Sequence, residues 1–390
     1  MVGAGPAGSA AAAALAARGR RVLLLEKDRL PRRKVCGEFL SGRAVPSLER
    51  LGVLDEVSSI AERIDRGTLH LPSAAPLRFP LPASALGISR YALDALLARR
   101  AQSLGAELRF GARVLAIERM EGVGEREGEE TERRKRKRKR TARGFHVRWT
   151  ASGGGEPGDA IAAAAVGAWG RWDALDRSLE RRFGREAARY VGWSRDYPRA
   201  AGALAGEVRL YVFPGGYCGL SPVEGGVAHL AGVISERLRR RIAPGWPAVV
   251  AHARGANEAL DRDLSALGEE GEDLGTGPVY FTRKPPSDGG PILAGDAAGV
   301  LDPFSGEGQA SALASGLLAA DAVERALAGE IGWERLPTEY AGAWRRRFGR
   351  RFAWSAAFRG LVLHPRLATV AAGLAGERLM RVAVRKFAGP

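Results

Sequence analysis

The sequence has little cysteine, little histidine and no long apolar run, and each shortage excludes a class of protein. Only two of the 390 residues are cysteine, Cys36 and Cys218, and their wide separation argues against a disulfide framework and favours a reducing, cytoplasmic compartment. The five histidines are scattered without the spacing of metal ligands, so we predict no metal site. No stretch of about 18 large apolar residues appears, so we predict no membrane span.

The net charge of +16 is concentrated in two segments. Residues 119–143 carry 11 basic and 6 acidic residues, a net charge of +5, and residues 344–390 carry 11 basic and 1 acidic residue, a net charge of +10. The remaining chain is close to neutral, so the charge belongs to an insertion and a tail. No aromatic residue interleaves with the basic run at 133–140, which favours a disordered, solvated hairpin loop. Polyanion binding is the remote alternative, and we expect no nucleic-acid partner.

The first residues of the chain have the spacing of a dinucleotide-binding loop. Gly3, Gly5 and Gly8 precede a helix of small residues and an apolar strand that ends at Glu26. Such glycines permit a tight turn, close approach to a pyrophosphate and close helix packing, and the helix N-terminus attracts phosphate. An acid at the position of Glu26 accepts hydrogen bonds from a ribose. The predicted cofactor contacts of this half are Gly3, Gly5, Pro6, Ala7, Gly8, Glu26 and Lys27.

The strand that should precede Gly3 is almost missing. A strand needs about five residues, and only Met1 and Val2 are present. We therefore expect that the native start lies upstream or that the chain is truncated.

A second constellation lies near residue 300. The strand at 291–296 delivers Asp296, whose carboxylate can accept a ribityl hydroxyl. The turn at Gly306 then opens a long helix at Gly308 and Gln309, and its N–H groups can face the flavin N1/C2=O edge. These residues predict a flavin site.

Taken together, the motifs resemble the para-hydroxybenzoate hydroxylase superfamily of FAD enzymes. The resemblance rests on the glycine loop with Glu26, on Arg90 at the start of its helix, and on Asp296 with Asp302-Pro303. The stretches 34–37 and 211–217 are similar to the geranylgeranyl reductase branch. The resemblance implies that Arg90 contacts the pyrophosphate region, Asp296 the ribityl chain, and Gly308 with Gln309 the isoalloxazine, while Cys36 and Gly37 lie beside the flavin.

The implied fold is α/β, with a Rossmann-like FAD-binding domain of the glutathione-reductase type interlocked with an antiparallel-sheet substrate domain. We assign 1–66, 88–170 and 277–330 to the FAD-binding domain, 67–87 and 171–276 to the substrate domain, and 331–390 to a helical C-terminal region. Residues 67–82 are expected to form edge strands, and 208–234 a three-stranded meander. Tyr211, Phe213 and Tyr217 in this meander either belong to the core or line a substrate cavity.

Two departures from the superfamily bear on function. Trp169 stands where many hydroxylases carry the Asp of an Asp-Gly motif, which leaves the use of a nicotinamide open. The Trp-x-Trp-x-Ile-Pro signature of flavin-dependent halogenases is absent, which disfavours halogenation.

The resemblance implies an FAD-dependent oxidoreductase that passes hydride to a lipophilic substrate (an isoprenoid, a quinone or a polyketide-like compound) and reduces a C=C bond. NAD(P)H is the candidate electron donor, and an aromatic monooxygenase is the alternative. Cys36 is a weak catalytic candidate, because a thiol beside flavin needs cations such as Arg32, Arg33 and Lys34 to be reactive; the alternative is a packed wall residue. We expect a monomer whose tail at 344–387 either rests on an anionic membrane surface or caps the two domains.

Overall fold

The computed structural model describes residues 1–362 except 73, 121–143, 153, 172–173, 182, 184–189, 199–200, 268–270 and 288–289. Most of the predicted insertion at 119–143 and the tail from residue 363 onward lie outside the described residues.

Fifteen strands and ten helices are described. The strands are β1 (Leu23–Glu26), β2 (Phe39–Leu40), β3 (Glu62–His70), β4 (Leu77–Gly87), β5 (Glu107–Phe110), β6 (Ala112–Met120), β7 (Gly144–Ala151), β8 (Gly158–Ala162), β9 (Val166–Gly167), β10 (Tyr190–Tyr197), β11 (Glu207–Phe213), β12 (Gly216–Val223), β13 (Val227–Ser235), β14 (Asp273–Val279) and β15 (Ile292–Leu293). The helices are α1 (Pro6–Ala16), α2 (Val45–Leu51), α3 (Leu54–Ile60), α4 (Arg90–Ser103), α5 (Leu175–Ser178), α6 (Glu236–Arg239), α7 (Trp246–Ala256), α8 (Glu258–Leu267), α9 (Gly308–Leu327) and α10 (Leu336–Val362). Short 3₁₀ turns lie at Gly42–Ala44, Ala201–Leu204, Glu224–Gly226, Gly295–Ala297 and Pro303–Ser305.

A parallel sheet carries the glycine loop. Strand β1 pairs with β5, and β9 pairs with β15, both in parallel. Val2 bridges the two pairs, because it forms parallel bridges with Leu25 of β1 and Gly167 of β9. The Gly3 N–H donates to the Leu25 carbonyl at 2.7 Å and the Ala168 N–H to the Val2 carbonyl at 2.8 Å. Val2 therefore occupies the middle of the sheet, the position predicted for the strand before Gly3.

Helices α1, α4, α9 and α10 pack against this sheet and form the largest apolar core. The side chains of α1 are so small that α9 approaches its backbone closely: a Cβ on Gly316 would lie 2.1 Å from the Ala7 carbonyl oxygen. Helix α10 buries Trp344, Phe348 and Phe352 in the same core. This part of the predicted tail thus packs on the helices around the sheet that carries the glycine loop. Among the described helices, none is long and apolar enough to cross a membrane.

The larger sheet has eight strands in the order β14-β10-β13-β12-β11-β3-β4-β2. The consecutive antiparallel strands β11, β12 and β13 confirm the predicted meander. The expectation of edge strands at 67–82 is wrong for β3, which lies between β11 and β4 and pairs in parallel with β11. Its residues from Gly67 to Leu69 are buried, which is typical of an interior strand. Strand β4 carries Pro80 and Pro82 and meets only the two-residue β2 on its other side, as expected near an edge.

The remaining sheet contains β6, β7 and β8, all antiparallel. Met120 of β6 pairs with Gly144 of β7, so the basic insertion joins two paired strands, as predicted. The predicted helix after Ser89 is also present, and the Ser89 hydroxyl caps it by accepting from the Ala92 N–H at 3.0 Å. The domain boundaries stay a prediction.

Candidate cofactor site and adjoining cavity

A cavity of about 620 Å³ opens where β1, β9 and β15 end. All the predicted cofactor contacts line it except Gly8. The two constellations, almost 300 residues apart in sequence, thus meet at one site. The volume lies within the range of ordinary cofactor sites.

The glycine loop forms a cradle that side chains would fill. Gly3 has a φ of +98°, and a Cβ there would lie 2.4 Å from the Ala168 carbonyl oxygen. A Cβ on Gly8 would lie 1.8 Å from the Gly3 carbonyl oxygen, so Gly8 acts behind the cavity by letting α1 touch the loop. Helix α1 begins after Gly5 with no side-chain cap and no acid in its first turn. Its N–H groups and partial positive charge are therefore available to a pyrophosphate.

Glu26 is held at the end of β1 by backbone amides. Its Oε2 accepts from the Ala4 N–H at 2.7 Å, and its Oε1 accepts from the Asp28 N–H at 3.2 Å. A carboxylate has about four acceptor sites, so these two hydrogen bonds orient Glu26 and leave capacity for a ribose hydroxyl.

Arg90 is fixed by an acid that the sequence analysis missed. Its Nε and Nη2 each donate to one oxygen of Asp94 at 2.7 Å, and Lys34 Nζ donates to the same carboxylate at 2.8 Å. Asp94 is fully buried. Burial alone would raise its pKa, but the charges and hydrogen bonds of Arg90 and Lys34 hold the pKa of Asp94 below its usual range. The sequence does contain a sign of this ion pair, because an acid lies four residues after Arg90, on the same helix face as Leu93 and Leu97.

The second constellation supplies polar groups from the other side. Asp296 lies in the 3₁₀ turn after β15, and α9 begins at Gly308 without a side-chain cap. The buried amide of Gln309 places Nε2 3.4 Å from Cys36 Sγ. Its Oε1 is buried and has no hydrogen-bond partner within the described ranges. A buried acceptor without a partner in a cavity wall fits a ligand that carries an N–H donor.

Trp169 lines the cavity at the position where many hydroxylases have aspartate. Its Nε1 donates to Asp176 Oδ1 at 3.3 Å, and Lys284 Nζ donates to Asp176 Oδ2 at 3.2 Å. Lys284 Nζ also donates to the carbonyl of Arg171, another lining residue. Burial lowers the pKa of Lys284 more than Asp176 raises it. Sequence reasoning missed Asp176 and Lys284, because nothing local marks them as partners of Trp169.

Cys36 is a free, half-buried thiol in the cavity wall. The three neighbouring cations are paired with carboxylates: Arg32 with Asp28, Arg33 with Asp196 and Glu272, and Lys34 with Asp94. A redox role for Cys36 stays a prediction. Cys218 is buried in β12, and burial raises the pKa of its thiol.

A second cavity of about 160 Å³ adjoins the first. The two cavities share a wall formed by Val35, Cys36, Gly37, Phe39, Arg171, Pro303 and Gly306. The rest of the second cavity is mostly apolar, with Phe79, Leu81, Val208, Leu210, Val233 and Phe304 in its lining.

Of the three aromatic residues of the meander, only Tyr217 lines the second cavity. Tyr211 and Phe213 belong to the buried core behind it. The Tyr217 hydroxyl donates to Asp302 Oδ1 at 2.5 Å and accepts from the Phe304 N–H at 2.9 Å. Tyr217 therefore ties the large sheet to the turn at Pro303–Ser305.

Comparison with known proteins identifies the domain that carries the glycine loop. Residues 1–157 match the family described as FAD binding domain. These residues therefore form an FAD-binding domain, and the chain is a flavoprotein. The match supports the predicted FAD-binding domain, and together with the structural likeness given below it confirms the predicted fold.

The flavoprotein is similar to two curated reductases. It is 37% identical over 123 residues to a menaquinone reductase of Mycolicibacterium smegmatis, covering 30% of this chain and 29% of that protein. It is 28% identical over 365 residues to digeranylgeranylglycerophospholipid reductase 2 of Methanopyrus kandleri, covering 91% of this chain and 84% of that protein. The structure resembles the flavin-dependent brominase Bmp2 with a TM-score of 0.78 and 18% identity, over 100% of this chain and 92% of that one. The last likeness shows the fold alone.

Proposed function

We propose that the flavoprotein passes hydride from NAD(P)H through FAD to a lipophilic substrate and reduces a C=C bond. The observation that carries the proposal is the apolar cavity that shares a wall with the cofactor cavity at Cys36–Gly37 and Pro303–Gly306. The names of the two similar reductases, which refer to a quinone and an isoprenoid lipid, support the same class of substrate.

The residues that line the cofactor cavity match the successive parts of an FAD molecule. The N-terminus of α1 with Gly3 and Gly5 would hold the pyrophosphate with help from Arg90, and Glu26 would hold the ribose. Asp296 would hold the ribityl chain, and Gly308 with Gln309 would face the isoalloxazine. When bound, FAD supplies hydride transfer.

The chain's own residues orient the substrate and exclude water. Apart from Arg171 in the shared wall, the second cavity is lined mainly by apolar side chains, so binding there depends mostly on burial of apolar surface. The Tyr217–Asp302 hydrogen bond fixes one side of the shared wall, and the segment at Cys36–Gly37 forms the other side. A flat group that enters through this wall would lie beside the flavin.

The size of the second cavity also suits the substrate of a second candidate, an aromatic monooxygenase. A cavity of about 160 Å³ has room for a single ring. The ring of an aromatic hydroxylase substrate and the head of a quinone fit this description equally well, and both reactions use the same cofactor.

Isotope analysis of the product separates the two reactions. The holoprotein is mixed with NADH or NADPH and with menaquinone, a geranylgeranyl lipid or a phenol, under ¹⁸O₂ or without oxygen. We expect an acceptor that gains two hydrogens and no ¹⁸O, at the same rate without oxygen. A product with one ¹⁸O atom, formed only with oxygen, would show that the reductase proposal is wrong. If dithionite-reduced holoprotein reduces the acceptor but neither NADH nor NADPH supports the reaction, NAD(P)H is not the donor.

Polyanion binding through residues 119–143 would be a function of another class. It predicts tight binding of DNA or heparin that falls steeply with salt and is lost when the insertion is deleted. We expect no such binding, and we expect the deletion variant to keep its FAD.

A further inference from the structure

A buried ion cluster lies behind the wall that the two cavities share. His229 on β13 is only 2% exposed. Its Nδ1 lies 2.5 Å from Asp196 Oδ1 on β10 and 3.3 Å from Glu38 Oε2, which follows the wall segment Cys36–Gly37. Its Nε2 lies 2.7 Å from the carbonyl oxygen of Cys36. One imidazole therefore joins the large sheet to the cavity wall.

The partners determine where the protons of His229 lie. A carbonyl oxygen only accepts, so Nε2 carries a hydrogen that it donates to Cys36. Carboxylates also accept, so Nδ1 carries the second hydrogen, and His229 is an imidazolium. Burial lowers its pKa, but the charge of Glu38 and the hydrogen bond and charge of Asp196 more than offset this, and the pKa of His229 is raised. Arg33, which lies in the loop before the wall segment, forms an ion pair with Asp196. The carboxylate beside His229 therefore also has a second cationic partner.

The next carbonyl along the wall is held by the same sheet. Ser221 on β12 donates from Oγ to the Gly37 carbonyl at 3.3 Å. Glu38 adopts a left-handed conformation with a φ of 51°, which is unusual for a residue other than glycine. Its Oε1 accepts from the Arg90 N–H at 3.1 Å, at the start of α4. Strained backbone of this kind persists where the surroundings hold it, and it is common near functional sites.

We propose that His229 is a positioning residue that fixes the Cys36–Gly37 wall between the cofactor cavity and the second cavity. Its Nε2–H holds the Cys36 carbonyl, and its Nδ1–H anchors the ring to Asp196 and Glu38. The proposal does not depend on whether the flavoprotein is a reductase or a monooxygenase, because both need this wall in place.

The reactivity of the Cys36 thiol reports the position of the wall directly. Holoprotein is treated with iodoacetamide at constant pH, and alkylation of each cysteine is followed by mass spectrometry. Cys218 is fully buried and serves as the internal control for global opening. His229→Gln keeps an N–H donor near the position of Nε2, whereas His229→Asn is too short to reach the Cys36 carbonyl. His252→Asn, at a half-buried histidine on α7, is the matched control.

We expect His229→Asn to accelerate alkylation of Cys36 at least about tenfold, the factor for loss of one charge-assisted hydrogen bond. His229→Gln should stay within about threefold of the natural protein, and His252→Asn should match it, with Cys218 protected throughout. The visible spectrum of the bound flavin should shift in His229→Asn and recover in His229→Gln.

Equal alkylation rates in all variants would overturn the proposal. So would equal acceleration in His229→Asn and His229→Gln, because the donor at Nε2 would then be irrelevant. If His229→Asn does not fold, Ser221→Ala decides: it removes the neighbouring hydrogen bond without touching the ion cluster, and it must accelerate Cys36 alkylation about twofold or more. An unchanged rate in Ser221→Ala would then refute the role of the sheet in holding the wall.

Discussion

Substitution of Gly8 by alanine tests whether the contact between α1 and the glycine loop sets the affinity for FAD. The new Cβ would lie 1.8 Å from the Gly3 carbonyl oxygen and 3.2 Å from the Ala168 Cβ. Because Cβ atoms essentially never come closer than 3.0 Å, the loop or the helix must move by at least 1.2 Å. Gly8 itself does not line the cavity, so the effect would be transmitted by the backbone.

The displacement is larger than hydrogen bonds to a phosphate tolerate, since their useful range of lengths spans only about 0.5 Å. Each charge-assisted hydrogen bond lost costs about 1.5–3 kcal/mol. Loss of two such bonds would raise the Kd for FAD by about two to four powers of ten. The overpacking should also lower the free energy of unfolding of the apoprotein by about 1–3 kcal/mol.

The assay is titration of apoprotein with FAD, followed by flavin fluorescence, with urea unfolding of the apoprotein in parallel. Gly255→Ala is the matched control, because this exposed glycine of α7 has no atom within 4 Å of an added Cβ. It should keep the natural Kd. A Kd for Gly8→Ala within about threefold of the natural value would refute the reasoning, because the contact would then be too soft to matter.

Three further predictions concern charged groups. Asp94→Asn removes a fully buried acid from two partly buried cations and should lower the free energy of unfolding by about 3–5 kcal/mol in urea. Asp261→Asn in an exposed ion pair should cost less than about 1 kcal/mol, and equal effects would contradict this. The pKa of His229 is raised by folding, so its charge stabilises the fold below the ordinary pKa of 6.5, and this stabilisation is lost as pH rises through the pKa of the folded state. The pKa of Asp196 is lowered by folding, so its stabilisation is lost as pH falls below the ordinary pKa of 3.8. Urea unfolding at about pH 6 and about pH 9 should therefore show an alkaline loss of stability that is absent in His229→Gln. If the tail at 344–387 rests on membranes, the protein should co-sediment with anionic but not zwitterionic vesicles. Replacement of the four exposed arginines of α10 by serine should then weaken vesicle binding at least about a hundredfold, at about 1 kcal/mol per arginine (Arg345, Arg346, Arg347 and Arg350). Equal sedimentation with both vesicle types would show that α10 acts only as a cap.

Local sequence patterns were sufficient to predict those elements whose structure is set by neighbouring residues. The glycine spacing and the acid at Glu26 predict a strand, loop and helix because each step is fixed by neighbouring residues. The meander was equally accessible, because the Pro-Gly-Gly and Glu-Gly-Gly turns separate its strands. The meeting of Gly3 with Asp296 came from the family resemblance, since no local pattern joins residues so far apart.

The features that sequence reasoning missed are long-range pairings. The interior place of β3 results from a parallel pairing with β11, some 140 residues later, whereas the alternation and prolines of residues 67–82 suggested edge strands. Lys284 and Trp169 both donate to Asp176, although more than 100 residues separate them. The pairing of His229 with Cys36 spans 193 residues, and an isolated histidine on an apolar strand gives no sign of its partner. Such contacts follow from topology rather than from composition or periodicity.

The close packing of Gly316 against Ala7 has a consequence for how the protein is made. The two helices that border the cofactor cavity are separated by about 300 residues, so the first cannot meet the second until most of the chain has left the ribosome. At about 5–20 residues per second, this interval lasts roughly 15–60 seconds. During that time the face of α1 that packs against α9 has no partner, and FAD has only half of its cradle. Capture of the flavin is therefore a late event in biosynthesis, and the supply of FAD can influence how much newly made protein reaches the folded state.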